Sequence, residues 1–261
     1  MLFISIEFMG IPVSNNEIKF VKSLEQKKYR DQNGMFVVEG EKMVEEALRS
    51  PFEVFRHYRT SEIGVTAMSR MTMLSSPSPA LAVLRKPKDI DIQNLEYFSL
   101  PEAGLFLALD GIRDPGNMGT ILRIADWFGI DGVFASEDSV DVFNPKVVQA
   151  TMGAIFRVRF HYCDLSRLCR FVYLSGGNTY GTFLDGKNIY SSQLNTGDVT
   201  KSLIVIGNES NGISREVAST LEERLFIPPW PEDERGSESL NAAVATAITV
   251  AEFRRRMIKQ D

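Results

Sequence analysis

The chain has 261 residues, with 29 Lys+Arg against 34 Asp+Glu and a formal charge of −5. Its 44% hydrophobic and 24% charged residues form an ordinary globular composition, which excludes collagen, coiled coil and wholesale disorder. The length suits one large domain or two smaller ones, each able to bury a core. No apolar run of about 18 residues is present, so no membrane helix and no membrane partner are expected. The opening MLFISIEFMG is apolar but lacks a basic flank and contains Glu7, so it reads as structure or a mis-called start rather than a signal peptide. Cys163 and Cys169 form no CxxC pair and lie near no histidine cluster. They are expected to be buried free thiols in a reducing, cytoplasmic protein with no metal site.

In chain order, Asn16 to Tyr29 has helical spacing, with Ile18, Val21 and Leu24 on one side. A strand is expected at 36–40 and a helix at Glu41 to Arg49. Further strands are expected at Phe52 to Tyr58 and Ala80 to Leu84, separated by the turn-rich SSPSPA. These elements make a small α/β domain over 1–88. The aperiodic stretch 89–104, which contains Pro101, reads as a linker. Lys19, Lys22, Lys27, Lys28 and Arg30 stand against Glu25 alone. They form a candidate phosphate-contacting stripe, or else a solvated helix face.

The remaining 105–261 alternates strand and helix. Strands are expected at 105–110, 132–136, 157–162, 179–184, 202–207 and 225–229. Helices are expected at Asn117 to Phe128, Pro145 to Ala154, Leu165 to Leu174, Glu216 to Leu221 and Leu240 to Met257. Continuous apolar strands alternating with helices predict an α/β fold with a parallel sheet covered on both faces. Ligands then sit beyond the carboxyl ends of the strands. The loops after Asp110, Gly207 and Ile227 are therefore the places to look for chemistry.

The first of these loops has glycines at 111, 116 and 119, which match neither GxGxxG nor a P-loop. That weighs against a nicotinamide- or nucleotide-dependent enzyme. Asn117 is expected to cap the following helix, with Met118, Ile121, Leu122, Ala125 and Phe128 inward. Gly119, Arg123 and Trp127 would face elsewhere, with Arg123 either gripping an anion or pairing with Asp126. The second loop, GNESNGIS, carries Glu209. After the third, Ser239 and Asn241 open an alanine-rich helix, whose Leu240, Val244, Ile248 and Val250 are expected to bury it almost all round. Asn241 reads either as a local cap or as an amide with a partner elsewhere.

Together, DPGNMGTILRIADWFG (114–129), LIVIGNESNGIS (203–214), FIPP (226–229) and SESLNAAVATAITVAEFRRR (237–256) resemble the SpoU (TrmH) family of RNA ribose 2′-O-methyltransferases. NPKVVQATMGAIFRV (144–158) fits as well, and 18–48 is similar to the substrate-binding domain that precedes the catalytic domain in many members. The resemblance implies a C-terminal trefoil knot, which pattern alone would not suggest. It also implies S-adenosyl-L-methionine as methyl donor, held near Thr182, Gly207, Ile227 and Leu240, and a homodimer formed through the C-terminal domain. Arg123 would be the base, or a clamp on the substrate phosphate, since a guanidinium deprotonates only above about pH 12. Asn117 and Glu209 would orient Arg123 and the ribose, and Ser239 and Asn241 would hold substrate phosphate and loop shape. The chain departs from the family pattern at Ser210 and at Pro229-Trp230. The partner implied is RNA, with ribosomal RNA ahead of transfer RNA. A non-catalytic RNA-binding protein with the same fold is the rival reading.

Overall fold

The computed structural model describes residues 13–87, 100–191, 200–231 and 239–257. The apolar N-terminal decapeptide, most of the expected linker and the acidic loop after Pro231 lie outside the described residues. In chain order the elements are α1 (Asn15–Ser23), α2 (Lys27–Asn33), β1 (Met35–Glu39), α3 (Glu41–Arg49), β2 (Val54–Arg59), α4 (Thr60–Ile63), α5 (Val65–Met71) and β3 (Ala80–Arg85). They continue as β4 (Gly104–Asp110), α6 (Pro115–Trp127), β5 (Gly132–Ala135), α7 (Pro145–Thr151), β6 (Phe160–Tyr162), α8 (Leu165–Leu174), β7 (Asn178–Phe183) and β8 (Lys187–Asn188). The last are β9 (Lys201–Gly207), α9 (Arg215–Ala218), β10 (Glu223–Phe226) and α10 (Ala242–Met257).

The chain forms two compact units, one of residues 1–88 with 141–156 and one of 89–140 with 157–261. The first is built on an antiparallel sheet in the order β1-β3-β2. Met35, Val37, Leu81 and Val83 pack with Ile18, Val21 and Leu24 of the α1 segment and Met68 and Met71 of α5. Phe36, pointing the other way along β1, meets Phe52 at 5.9 Å and Phe143 at 4.7 Å between ring centroids. The stretch 141–156, expected within the second domain, groups with this unit because its apolar side chains find their partners here. Phe156 lies 5.6 Å from Phe52, and Asp141 pairs with Arg30.

The single helix expected over Asn16 to Tyr29 is two. Arg30 turns inward and donates to the carbonyls of Leu24 and Glu25, at 2.9 and 2.7 Å, just past the end of α1. Residues 60–71, unassigned from the sequence, form α4 and α5, separated by Gly64 at φ +82°.

The second unit carries a seven-stranded sheet in the order β6-β5-β4-β9-β7-β10-β8, parallel at every registered pair. Phe106, Ala108, Leu203 and Val205 pack with Leu168, Cys169 and Val172 of α8 on one face. Leu105, Leu107 and Leu109, directed oppositely by the pleat, are equally buried, and α10 packs on α6 and β9. Arg254 of α10 donates to the carbonyls of Phe128 and Gly129 at the end of α6, satisfying acceptors a helix terminus leaves open. Arg256 donates to the carbonyls of Ile189 and Ser191. Arg254 and Arg256 thus tie the end of α10 to the rest of this unit by specific bonds. Among the described residues no helix is long and apolar enough to cross a membrane, and no group of His, Cys, Asp or Glu could hold a metal ion.

Candidate active site

β4 delivers Asp110 and Gly111 to the carboxyl end of the sheet, and β9 delivers Gly207 and Asn208 beside them. Asp110 is buried and accepts the Ser214 N–H at 2.7 Å. Gly207 has no room for a side chain. A Cβ there would lie 2.3 Å from the Gly212 carbonyl carbon and 2.4 Å from the Ile213 nitrogen, because the loop folds back across it. Gly212, at φ +65°, closes that fold by exchanging backbone bonds with Asn208.

The cap of α6 is Asp114, not Asn117. The Asp114 carboxylate accepts the Asn117 N–H at 2.8 Å, with Pro115 at the first helical position. This leaves the Asn117 amide free to reach outward. Its Nδ2 donates to Glu209 Oε1, and its Oδ1 accepts from Asn241 Nδ2 at 2.9 Å. Asn241 Oδ1 in turn accepts the N–H groups of Ala243 and Val244, at 2.9 and 3.3 Å. Both readings of Asn241 therefore hold, since it caps α10 with its oxygen and reaches Asn117 with its nitrogen. The polarity of the chain is fixed at both ends. Backbone donors orient Asn241, and a carboxylate that can only accept orients Asn117. Side chains from the first turn of α6, the loop after β9 and the start of α10 are joined.

A cavity of about 500 Å³ opens beside this chain. Thr182, Gly207, Ile227 and Leu240 all line it, together with Glu209 and Ser239. Its other walls include Ile206, Ile213 and Leu225, with Arg224 stacked 3.5 Å above the Phe183 ring and paired to Asp185 at 2.5 Å. Ser210 and Pro229, two of the positions that depart from the family pattern, are also in the lining.

Arg123 does not line the cavity. It is exposed on α6 and has no hydrogen-bond or ion-pair partner among the described residues. The alternative pairing with Asp126 is excluded, because Asp126 is engaged by Arg157 in a fork at 2.8–3.0 Å. Gly119, expected on the Arg123 face, is buried. The open row on α6 is Gly116, Thr120, Arg123 and Trp127, and Trp127 is 86% exposed. α10 is likewise not buried all round, for Leu240 and Val244 are exposed, Val244 by 47%. His57 and His161 lie in β2 and β6, away from the cavity lining.

The basic stripe of the first unit divides. Arg30, expected in the exposed stripe, is only 2% exposed and spends its guanidinium on Asp141, Leu24 and Glu25, so its charge is engaged within the unit. Lys22 bonds the Thr72 carbonyl and Glu25, and Lys27 pairs with Asp31. Lys19 and Lys28 are exposed with no carboxylate partner among the described residues, and Lys28 lies over the Tyr29 ring. Both cysteines are buried, and burial pushes Cys163 up to about 12 and Cys169 up to about 11.

Two participants were not singled out from the sequence. Asp114 had a signal, an acid immediately before Pro and Gly at a helix start. Asn208, whose side chain donates to the Gly111 carbonyl at 2.8 Å, had none, because its partner is 97 positions away.

Residues 104–251 match the model of the SpoU rRNA Methylase family, and 15–81 match that of the MRM3-like substrate binding domain. A Bacillus subtilis relative named 23S rRNA (guanosine(2553)-2′-O)-methyltransferase is 30% identical, over 92% of this chain and 96% of its own. A TrmH-family protein of Porphyromonas gingivalis superposes with TM-score 0.80 at 37% identity, over 94% of this chain and 99% of its own. An AdoMet-bound rRNA methyltransferase of Sinorhizobium meliloti does so with TM-score 0.83 at 26% identity, over 96% and 100%. With the family match covering more than half of its length and the same three loops gathered in space, this chain belongs to the SpoU rRNA methylase family.

Proposed function

We propose that this protein methylates a ribose 2′-hydroxyl of ribosomal RNA, using S-adenosyl-L-methionine. The observation that carries the reading is the Asn241–Asn117–Glu209 chain, set beside a cavity lined by Thr182, Gly207, Ile227 and Leu240. The cavity suits the methyl donor in size, since small-molecule sites run about 300–1,000 Å³. It also suits it in chemistry, with apolar walls for an adenosine and polar groups of Thr182, Ser239 and Arg224 for its hydroxyls and amino-acid end. When bound, the donor supplies an electrophilic methyl on a sulfonium.

The chain's own residues then position a nucleophile and manage its proton. In-line displacement depends strongly on orientation, which the fixed polarity of the three-residue chain supplies. Arg123 is placed as an unpaired cation on the open face of α6, suited to hold the phosphate beside the target ribose. In that role the proton leaves through phosphate oxygen or water. The alternative role of Arg123 as base requires its proton to be lost first.

The substrate class is supported by the 23S rRNA name of the Bacillus subtilis relative and by the substrate-binding match over 15–81. Lys19 and Lys28 are the candidate phosphate contacts of that unit, with Lys22 and Lys27 secondary because each already has an acidic partner. A homodimer through the second unit is supported by the exposed apolar side chains Trp127, Leu240 and Val244. The trefoil knot is supported by the loops after β9 and β10 and the start of α10 lining one cavity. The site of action is the cytoplasm, the compartment suited to two unpaired thiols.

Mapping 2′-O-methyl sites in RNA from cells with and without the protein tests the function. A ribosomal site lost on deletion and restored by the wild-type gene is the expected result. A site lost only from transfer RNA would replace the substrate. No lost site, together with no calorimetric binding of S-adenosylmethionine, would leave an RNA-binding protein.

A further inference from the structure

We infer that Asn208 is a positioning residue for the methyl-transfer step, setting Glu209 against Asn117. The inference rests on the function proposed above. Asn208 bolts the loop after β9 to the loop after β4. Its Nδ2 donates to the Gly111 carbonyl at 2.8 Å. Its Oδ1 accepts the N–H groups of Ser210 and Asn211, at 2.9 and 3.2 Å. Its backbone N–H and carbonyl both bond to Gly212. The side chain thus uses three of the four bonds an amide can make.

The receiving peptide is equally constrained. The Gly111 N–H donates to Ser136 Oγ at 2.8 Å, so Asn208 holds the carbonyl of a residue anchored from β5. Gly111 is at φ +66°, and a Cβ there would come within 3.8 Å of the Asn208 Cβ. The link between the two loops at this point is the Asn208 side-chain bond to the Gly111 carbonyl. Glu209 follows Asn208 directly, and its carboxylate is the terminal acceptor of the chain through Asn117 to Asn241. Without the Asn208 side-chain bond, the loop is still closed by the Asn208–Gly212 backbone bonds and held by Ser214 on Asp110, but the tie from the residue next to Glu209 to the Gly111 peptide is lost.

The two functions of the Asn208 amide can be separated. Asn208→Asp keeps an acceptor for Ser210 and Asn211, so the turn lining the cavity is retained. It removes the donor to Gly111 and sets a carboxylate oxygen against that carbonyl. Asn208→Ser likewise offers a hydroxyl acceptor to the turn but cannot span the distance to Gly111. The measurements are S-adenosylmethionine affinity by calorimetry, and kcat and KM for methyl transfer to ribosomal RNA extracted from cells lacking the protein. Both variants are expected to bind the donor within about threefold of wild type and keep KM for RNA. They should lose at least about tenfold in kcat, the signature of misplaced catalytic groups. A variant with kcat within twofold of wild type overturns the inference, and so does a loss of donor affinity in step with kcat, which marks a merely structural residue. Wild-type protein that binds the donor but transfers no methyl to that RNA overturns the proposed function, and this inference with it.

Discussion

Asn117 and Glu209, 92 positions apart in the chain, are joined by a hydrogen bond in which the amide of the first helical turn of α6 donates to the carboxylate of the loop after β9. Asn117 is free to make it only because Asp114 has taken over the capping of α6. A single carboxylate three residues upstream therefore decides whether the amide serves its own helix or a distant loop.

Arg123 stands outside the cavity that would hold the methyl donor, so its contribution should separate from donor binding. Arg123→Ala is expected to lower kcat by at least about a hundredfold while leaving S-adenosylmethionine affinity within about twofold. Arg123→Lys should recover little, since an ammonium cannot form a two-pronged grip on phosphate. Calorimetry alongside methyl-transfer kinetics decides this, and near-normal turnover of the alanine variant would refute the role.

Gly207→Ala places a methyl group inside the backbone of Gly212 and Ile213. Nothing flexible lies there to move aside. Overpacking of this kind costs about 1–3 kcal/mol, and here the strain falls on the loop that lines the cavity. Loss of measurable donor binding, with a lower denaturation midpoint, is the expected outcome.

Because Lys27 is already paired with Asp31, the residues to test for RNA contact are Lys19 and Lys28. Each phosphate contact to a single strand contributes about 0.7 to the slope of log affinity against log salt. Replacing both by Ala should lower that slope by about 1.4 and weaken binding most at low salt. An unchanged slope would show that these lysines face only solvent.

Arg30→Ala should leave RNA affinity of the folded protein intact but destabilise it. The Asp141 carboxylate, paired with Arg30 at 2.5 Å, would lose its partner while buried. Removing one member of a buried pair costs about 3–5 kcal/mol. Denaturant unfolding measures the loss, and a change under about 1 kcal/mol would show that the site relaxes or admits water.

Hydrogen bonds from Arg255 and then Arg256 hold the Glu252 carboxyl, 7% exposed, well below its ordinary 4.5, at about 2. A depressed folded value contributes stability that is fully present above the unfolded value and is lost as pH falls toward the folded one. Wild type should therefore exceed Glu252→Gln in melting temperature at neutral pH. The gap should close between about pH 4.5 and pH 2.

Much of this architecture is local and was legible in the residues. α3 and α8 begin and end where spacing places them, because their apolar stripes and polar flanks lie within one segment. The parallel sheet follows from continuous apolar strands alternating with helices, and the three loops could be named because strands end where their apolar runs end. What no single segment contains is the identity of a partner across the fold. The Arg30 charge reads as basic surface until Asp141, 111 positions later, is seen to neutralise it. Asn117 reads as a cap until Asp114 is seen in that place, and the necessity of Gly207 follows from backbone that crosses it only after the chain has folded back. A sequence specifies each residue's capacity to bury, donate or accept. Which capacity is spent, and on what, depends on distances that exist only once segments far apart in the chain are packed together.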